Sequence, residues 1–269
     1  MRRGTALVFG ALTCVALVFV ALPLVALVVK TSPGALIRSL GDPAARNAAL
    51  VSLKTSVIAH ALILLVGTPA AYVVATRKFP GRAVAVAVME LPLVLPPAVA
   101  GIALLATFGR LGLLGHVLTV LNVDISFTQT AVVLAVAFVA FPFYVRQAVA
   151  AFESVDARFA DAARTLGASP WRTFRRIALP LARPGLAAGS ALAFARGLGE
   201  FGATIMFAGS FPGRTQTLPL AIYAQLDRNL DVAIAIGVVL IAISIVALIG
   251  VRLSTTWSSN SRSLVRSAT

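Results

Sequence analysis

AFESVDARFADAARTLGASPWRTFRRIALPLARP, residues 151–184, is the one connection in the chain that is both long and rich in charge. It writes two short helices. The first runs through Asp156–Leu166 and stops at Gly167, a residue free to take the left-handed conformation that closes a helix. The second opens at Ser169, a helix-capping residue, with Pro170 at the first helical position, where a missing N–H costs nothing. Trp171, Phe174 and Ile177 form an apolar stripe with Arg172, Arg175 and Arg176 around it, and Pro180 is expected to end the helix. Such a pair of helices is either a docking element for a partner or a basic amphipathic segment resting on a lipid leaflet. The physical chemistry of the segment leaves these two readings level.

Outward from this segment the chain is apolar. Six runs, 5–29, 50–76, 83–108, 127–150, 185–209 and 231–251, are each long enough to cross about 30 Å of hydrocarbon at about 1.5 Å per helical residue. Of the 269 residues, 59% are apolar and only 12% charged, against roughly 45–50% and about 25% in soluble domains. So few charges cannot cover a soluble core of this size. The expected fold is all-α, a bundle of six transmembrane helices in a lipid bilayer. The first run follows Met1-Arg2-Arg3 and exceeds the ~7–15 apolar residues of a signal peptide, so it reads as a retained anchor.

A net charge of +14 would point to nucleic acid in a soluble protein. Here the basic residues lie mostly between apolar runs, so they set orientation, and no nucleic-acid partner is expected. Fourteen Lys and Arg residues fall on the side holding both termini, the 77–82 turn and the 151–184 loop, and six on the other. That side is cytoplasmic by the positive-inside rule, with both termini inside. The division expected is an anchor helix and first outer loop over 1–49, a six-span domain completed over 50–251, and a basic tail, 252–269, too polar and Ser-rich to order. Cys14, the only cysteine, excludes a disulfide framework within the chain and any Cys-based metal cluster.

Some residues inside the spans invite chemistry. Pro96 and Pro97 interrupt the third run as a kink or a gating hinge, with the kink favoured. Glu90 lies in the same run and is assigned no role. His60, His116 and Ser190 raise an intramembrane serine hydrolase as an alternative class, but no third group or nucleophile elbow accompanies them. Glycines 185, 189, 197, 199 and 202 thin the fifth run and place it in a crowded interior, beside a pathway or dimer axis, or along a packing seam. Arg196 and Glu200 share one helical face as a neutralised pin or as pathway charges. No metal site is expected.

The spacing Asp161-Ala162-Ala163, three residues, Gly167, nine residues, Ile177-x-Leu179-Pro180 resembles the EAA loop of ABC importer permeases, with Asp161 where that family usually has Glu. Leu91–Pro97, Gly101–Leu105 and Phe108–Gly112 are similar to the third span of the molybdate branch. So are Ala203–Gly209 and Thr215–Leu220, whereas the Gly-Glu-aromatic-Gly core at 199–202 is shared with sulfate permeases. Ser210 stands where Asn is usual. The resemblance, covering about 50–250, implies a type I importer fold and a molybdate or tungstate substrate, with a sulfate or thiosulfate permease as the alternative. It implies that Asp161, Ala162, Ala163, Gly167, Ser169, Pro170, Ile177, Leu179 and Pro180 form the loop that engages an ATPase dimer. It further implies a second permease copy, a homodimer by default, and a periplasmic or lipid-anchored oxyanion-binding protein in a bacterial inner membrane. Arg196, Glu200, Thr204, Pro96 and Pro97 are the candidate pathway or gate residues. The three lysines, Lys30, Lys54 and Lys78, never follow a glycine, so no phosphate-binding loop of the G-x-x-x-x-G-K type is written here. The chain is expected to be no enzyme and to bind no cofactor; ATP and Mg belong on the partner.

Overall fold

A computed structural model describes residues 3–246 and 249. The expected basic tail at 252–269, with Arg252, Arg262 and Arg266, and the last residues of the sixth run lie outside the described residues, as does Arg2. Within them the chain is helical: α1 Arg3–Lys30, α2 Pro33–Gly41, α3 Pro43–Thr76, α4 Arg82–Val94, α5 Pro97–Phe108, α6 Gly115–Val120, α7 Gln129–Glu153, α8 Ala157–Thr165, α9 Pro170–Thr173, a π turn over Phe174–Ala178, α10 Leu179–Leu198, α11 Gly202–Ala208 and α12 Leu218–Leu226. A last apolar helix, α13, spans Leu230–Val246.

Four stretches, Val8–Lys30, Pro43–Thr76, Gln129–Glu153 and the continuous Pro170–Leu198, are long and apolar enough to cross a membrane, and α4 with α5 makes a fifth if the bent pair is one span. The sixth run is represented by α13. The outer loop expected before residue 50 is instead helical. Asp42 caps α3 by accepting the Ala44 N–H at 2.9 Å, and Pro43 takes the first helical position, so the second span begins seven residues early.

At the centre α7 packs between α3 and α10. Ala131, Ala135, Ala140 and Ala148 of α7 are wholly buried, and small side chains let helix backbones approach where lipid offers no hydrophobic drive to associate. Gly185, Gly189 and Gly197 of the fifth run lie along this seam, whereas Gly202 meets Pro97. A methyl group built on Gly185 would stand 2.5 Å from Ala151 Cβ, and one on Gly197 would stand 2.9 Å from Val136 Cγ1. Tyr144 of α7 ties in α3 through a 2.6 Å hydroxyl contact with Thr68.

The third run does not merely kink. Between α4 and α5 it turns by 115°. Leu95 and Pro96 each precede a proline, a position that disfavours helix, and both adopt extended ψ, 133° and 134°. The fifth run is also broken: α10 stops at Leu198, and after Gly199, Glu200 and Phe201 a separate short helix, α11, begins. At the other end of this run Pro180 does not terminate the loop helix, contrary to expectation. The π turn just before it widens the helix, with the Leu179 N–H reaching the Phe174 carbonyl, and this local rearrangement absorbs the proline that would otherwise break the ladder.

Candidate functional site

The loop between α7 and α10 is built as its residues dictate. Asp156 caps α8, accepting the Arg158 N–H at 2.9 Å. The Arg158 guanidinium and this backbone donor hold the Asp156 carboxyl below the usual aspartate range. Gly167 closes α8 at φ +77°. Its N–H bonds to the Arg164 carbonyl and the Ala168 N–H to the Ala163 carbonyl, both at 2.9 Å, the paired bonds of a Schellman motif. Ser169 then caps α9, accepting the Arg172 N–H at 3.3 Å, with Pro170 at the first helical position.

This turn is fixed underneath and open above. Phe174 packs on Tyr72 and Phe152, ring centroids 4.7 and 6.2 Å away, and Thr173 and Ala178 are buried. On the outer side Phe159, Leu166 and Trp171 are exposed, Leu166 by 87%. Asp161 is exposed and pairs with Arg164 at 3.0 Å, while Ala162, Gly167, Ser169 and Pro170 are exposed and Ala163 is buried. Ile177, Leu179 and Pro180 are half-buried in the helix that continues into the membrane. The nine candidate loop residues thus divide into a presented turn and its root in the bundle.

The second candidate group gathers where the two broken runs meet. A methyl group on Gly202 would lie 2.7 Å from Pro97 Cβ, so the break after α4 abuts the break after α10. Glu200, 2% exposed, sits in the second break rather than on α10. Its Oε1 accepts the Ala203 N–H at 2.8 Å, capping α11, and its Oε2 lies 2.7 Å from Arg196 NH2 as an ion pair whose alignment falls short of a hydrogen bond. Thr204 follows, fully buried, its hydroxyl without a partner among the described residues. Pro96 and Pro97 are exposed.

Residues 63–257 match the family described as "Binding-protein-dependent transport system inner membrane component". The chain belongs to this family. It is a multi-pass inner-membrane permease component. Among relatives, the "Molybdenum transport system permease protein ModB" of Mycobacterium tuberculosis (strain ATCC 25618 / H37Rv) is 44% identical over 222 residues, 82% of this chain and 83% of that protein. The "Probable sulfate transport system permease protein cysT" of Chlorokybus atmophyticus is 34% identical over 211 residues, 78% and 74% of the two chains. The fold matches a chain of a bacterial ABC transporter involved in the import of the acidic polysaccharide alginate, with a TM-score of 0.70 over 94% of this permease and 95% of that chain at 18% identity.

In this permease His60 and Ser190 join two helices without, among the described residues, the third group of a catalytic serine. Nε2 and Oγ lie 2.8 Å apart, a pairing of α3 with α10 across 130 positions that no local signal in the sequence announces. A nucleophilic serine needs its histidine held by a third group. His60 Nδ1 is buried with no partner among the described residues, and Phe194 meets the ring edge-on at 5.4 Å. Glu90 also finds a partner, Arg146 of α7, at 3.2 Å. About two turns away along α4, Arg82 reaches Glu153 at 2.6 Å, so α4 is tied twice to the helix that leads into the loop.

Proposed function

We propose that this permease carries molybdate, with tungstate as a near-identical alternative cargo, into the cytoplasm as one half of a homodimer. The observation that carries the substrate is the 44% identity to a molybdenum permease over most of both chains, against 34% to a sulfate one over a similar share. In this reading the 151–184 loop and both termini face the cytoplasm, supported by the excess of Lys and Arg on that side.

Each copy presents one Schellman turn. An ATPase dimer has two faces to receive such turns, and C2 symmetry is the default way of matching them. The exposed Leu166, Gly167 and Ser169 enter a cleft of the ATPase, which supplies the ATP and Mg chemistry. The aromatic root at Phe174, Tyr72 and Phe152 passes its movement to α3, α7 and α10. A periplasmic binding protein delivers the dianion, and the bundle alternates between outward and inward openings.

A strain lacking the gene tests the cargo. It should lose molybdoenzyme activity at low external molybdate and regain it at high molybdate through less selective carriers. A requirement for reduced sulfur instead would replace molybdate with sulfate.

A further inference from the structure

At the end of the bundle opposite the 154–178 loop lies a cavity of about 820 Å³. One wall is the apolar flank of α5 at Ile102, Leu105 and Ala106; the rim is formed by the turns at 109–112, 124–128 and 211–214. Two arginines line it. Arg110 stands 3.5 Å from Asp124, which also lines the cavity, and both side chains are at least 69% exposed, so water screens that pair and cancels little of its charge. Arg214 has no ion-pair partner among the described residues.

The rim is held in an unusual shape. Phe127 takes a left-handed φ of 59°, a conformation that bulky residues avoid unless their surroundings impose it. Its N–H bonds to the Phe207 carbonyl at 3.3 Å and its ring meets Phe211 at 6.4 Å. Gly209, at φ +68°, leaves room for this pair; a methyl group there would stand 2.8 Å from the Phe211 ring. Strained Phe127 and its ring partner Phe211 thus brace the two turns that carry Arg214 and Ser126, another residue lining the cavity.

An apolar pocket with a few convergent polar groups is the usual form of a small-ligand site, and guanidinium groups match pairs of oxyanion oxygens. We infer that this cavity is the receiving mouth for a tetrahedral oxyanion, with Arg214 as its principal cation. This rests on the functional proposal above and adds to it a place where the dianion first meets the permease. The exposure of both arginines keeps the hold weak, as passage demands: a mouth must attract an ion without trapping it.

The test uses the complete transporter in liposomes, with labelled molybdate and binding protein at the lowest concentration that saturates the parent and then at higher ones, on a Cys14→Ser parent. Arg214→Cys should lower uptake about tenfold at low ionic strength, the modest end of what a charge-lined cleft contributes. A cationic methanethiosulfonate should restore it, an anionic one should not, and added salt should narrow the difference. Treating the parent with the same reagents controls for other thiols. Uptake by Arg214→Cys equal to the parent under every reagent overturns the mouth. So does a loss cured by more binding protein, which would make Arg214 a contact for that protein. A parent that takes up no molybdate overturns the functional proposal, and this inference with it.

Discussion

Glu200 shows what one carboxylate does at a break in a helix. One oxygen caps α11 through the Ala203 N–H and the other meets Arg196, whose side chain is 28% exposed. Both oxygens are occupied, so the geometry favours a pin over a charge offered to a passing anion. Removing either partner of a buried pair strands the other, at about 3–5 kcal/mol when the remaining charge is fully buried. Here the asymmetry is large. Arg196→Gln leaves a buried, charged Glu200 and should sharply reduce the folded protein in the membrane. Glu200→Gln keeps a carbonyl for the Ala203 N–H and leaves Arg196 partly solvated, so its loss of yield should be smaller. Quantifying folded transporter and uptake per folded dimer separates the roles. Slowed uptake at normal yield in both variants would place the pair in the pathway. The pairing was legible from its four-residue spacing. The break was not, because a run of glycine and apolar residues scores as a span whether or not its helix is continuous.

At the scale of elements, much of the turn from α8 to α9 was readable residue by residue, because caps are local chemistry: Gly167, Ser169 and Pro170 do what their side chains or backbones allow, whereas Asp156, expected inside the first helix, is its cap. Pro180 was misread, since a proline ends a helix only if no neighbouring turn can give way. The cost of changing Gly167 is conformational alone, because nothing lies within 4 Å of where its Cβ would be. Gly167→Ala should therefore cost the turn about 1–2 kcal/mol through its left-handed φ, and Gly167→Asn less, Asn being the side chain that best tolerates this region. Gly167→Pro removes the N–H that reaches Arg164 and fixes φ near −65° where +77° is needed. ATPase activity in that variant should continue without molybdate uptake, and cysteines at Ala168 or Ser169 should crosslink to the ATPase in the parent. Normal uptake by Gly167→Pro together with no crosslinking would return the segment to the lipid surface.

In the whole molecule, the two broken runs and the ion pairs divide the labour between ends. The half-helix α4 is tied to α7 by Arg82–Glu153 and Glu90–Arg146, near the loop, while α5 lies against α11 at the other end. These partnerships depend on contacts between residues about 60 to 100 positions apart, so composition and local spacing could place the spans but not choose their neighbours. Between α5 and α11 the tight contact is at Gly101, where a built Cβ would stand 2.6 Å from the Ala203 carbonyl oxygen and 2.7 Å from Met206 Cβ. Two effects oppose each other in Gly101→Ala. Alanine is favoured over glycine within a helix by about 1 kcal/mol, whereas overpacking a tight contact costs about 1–3 kcal/mol. The obstructing atom belongs to the backbone and cannot swing aside as a side chain would, so the clash should prevail and the purified variant should melt at a lower temperature than wild type. Gly10→Ala in α1 provides the contrast, since no atom lies within 4 Å of its built Cβ and only the helix preference remains. Its melting temperature should stay level or rise. Equal stability of Gly101→Ala and Gly10→Ala would mean that α5 and α11 do not meet as closely as drawn, and that the two breaks are free to move independently.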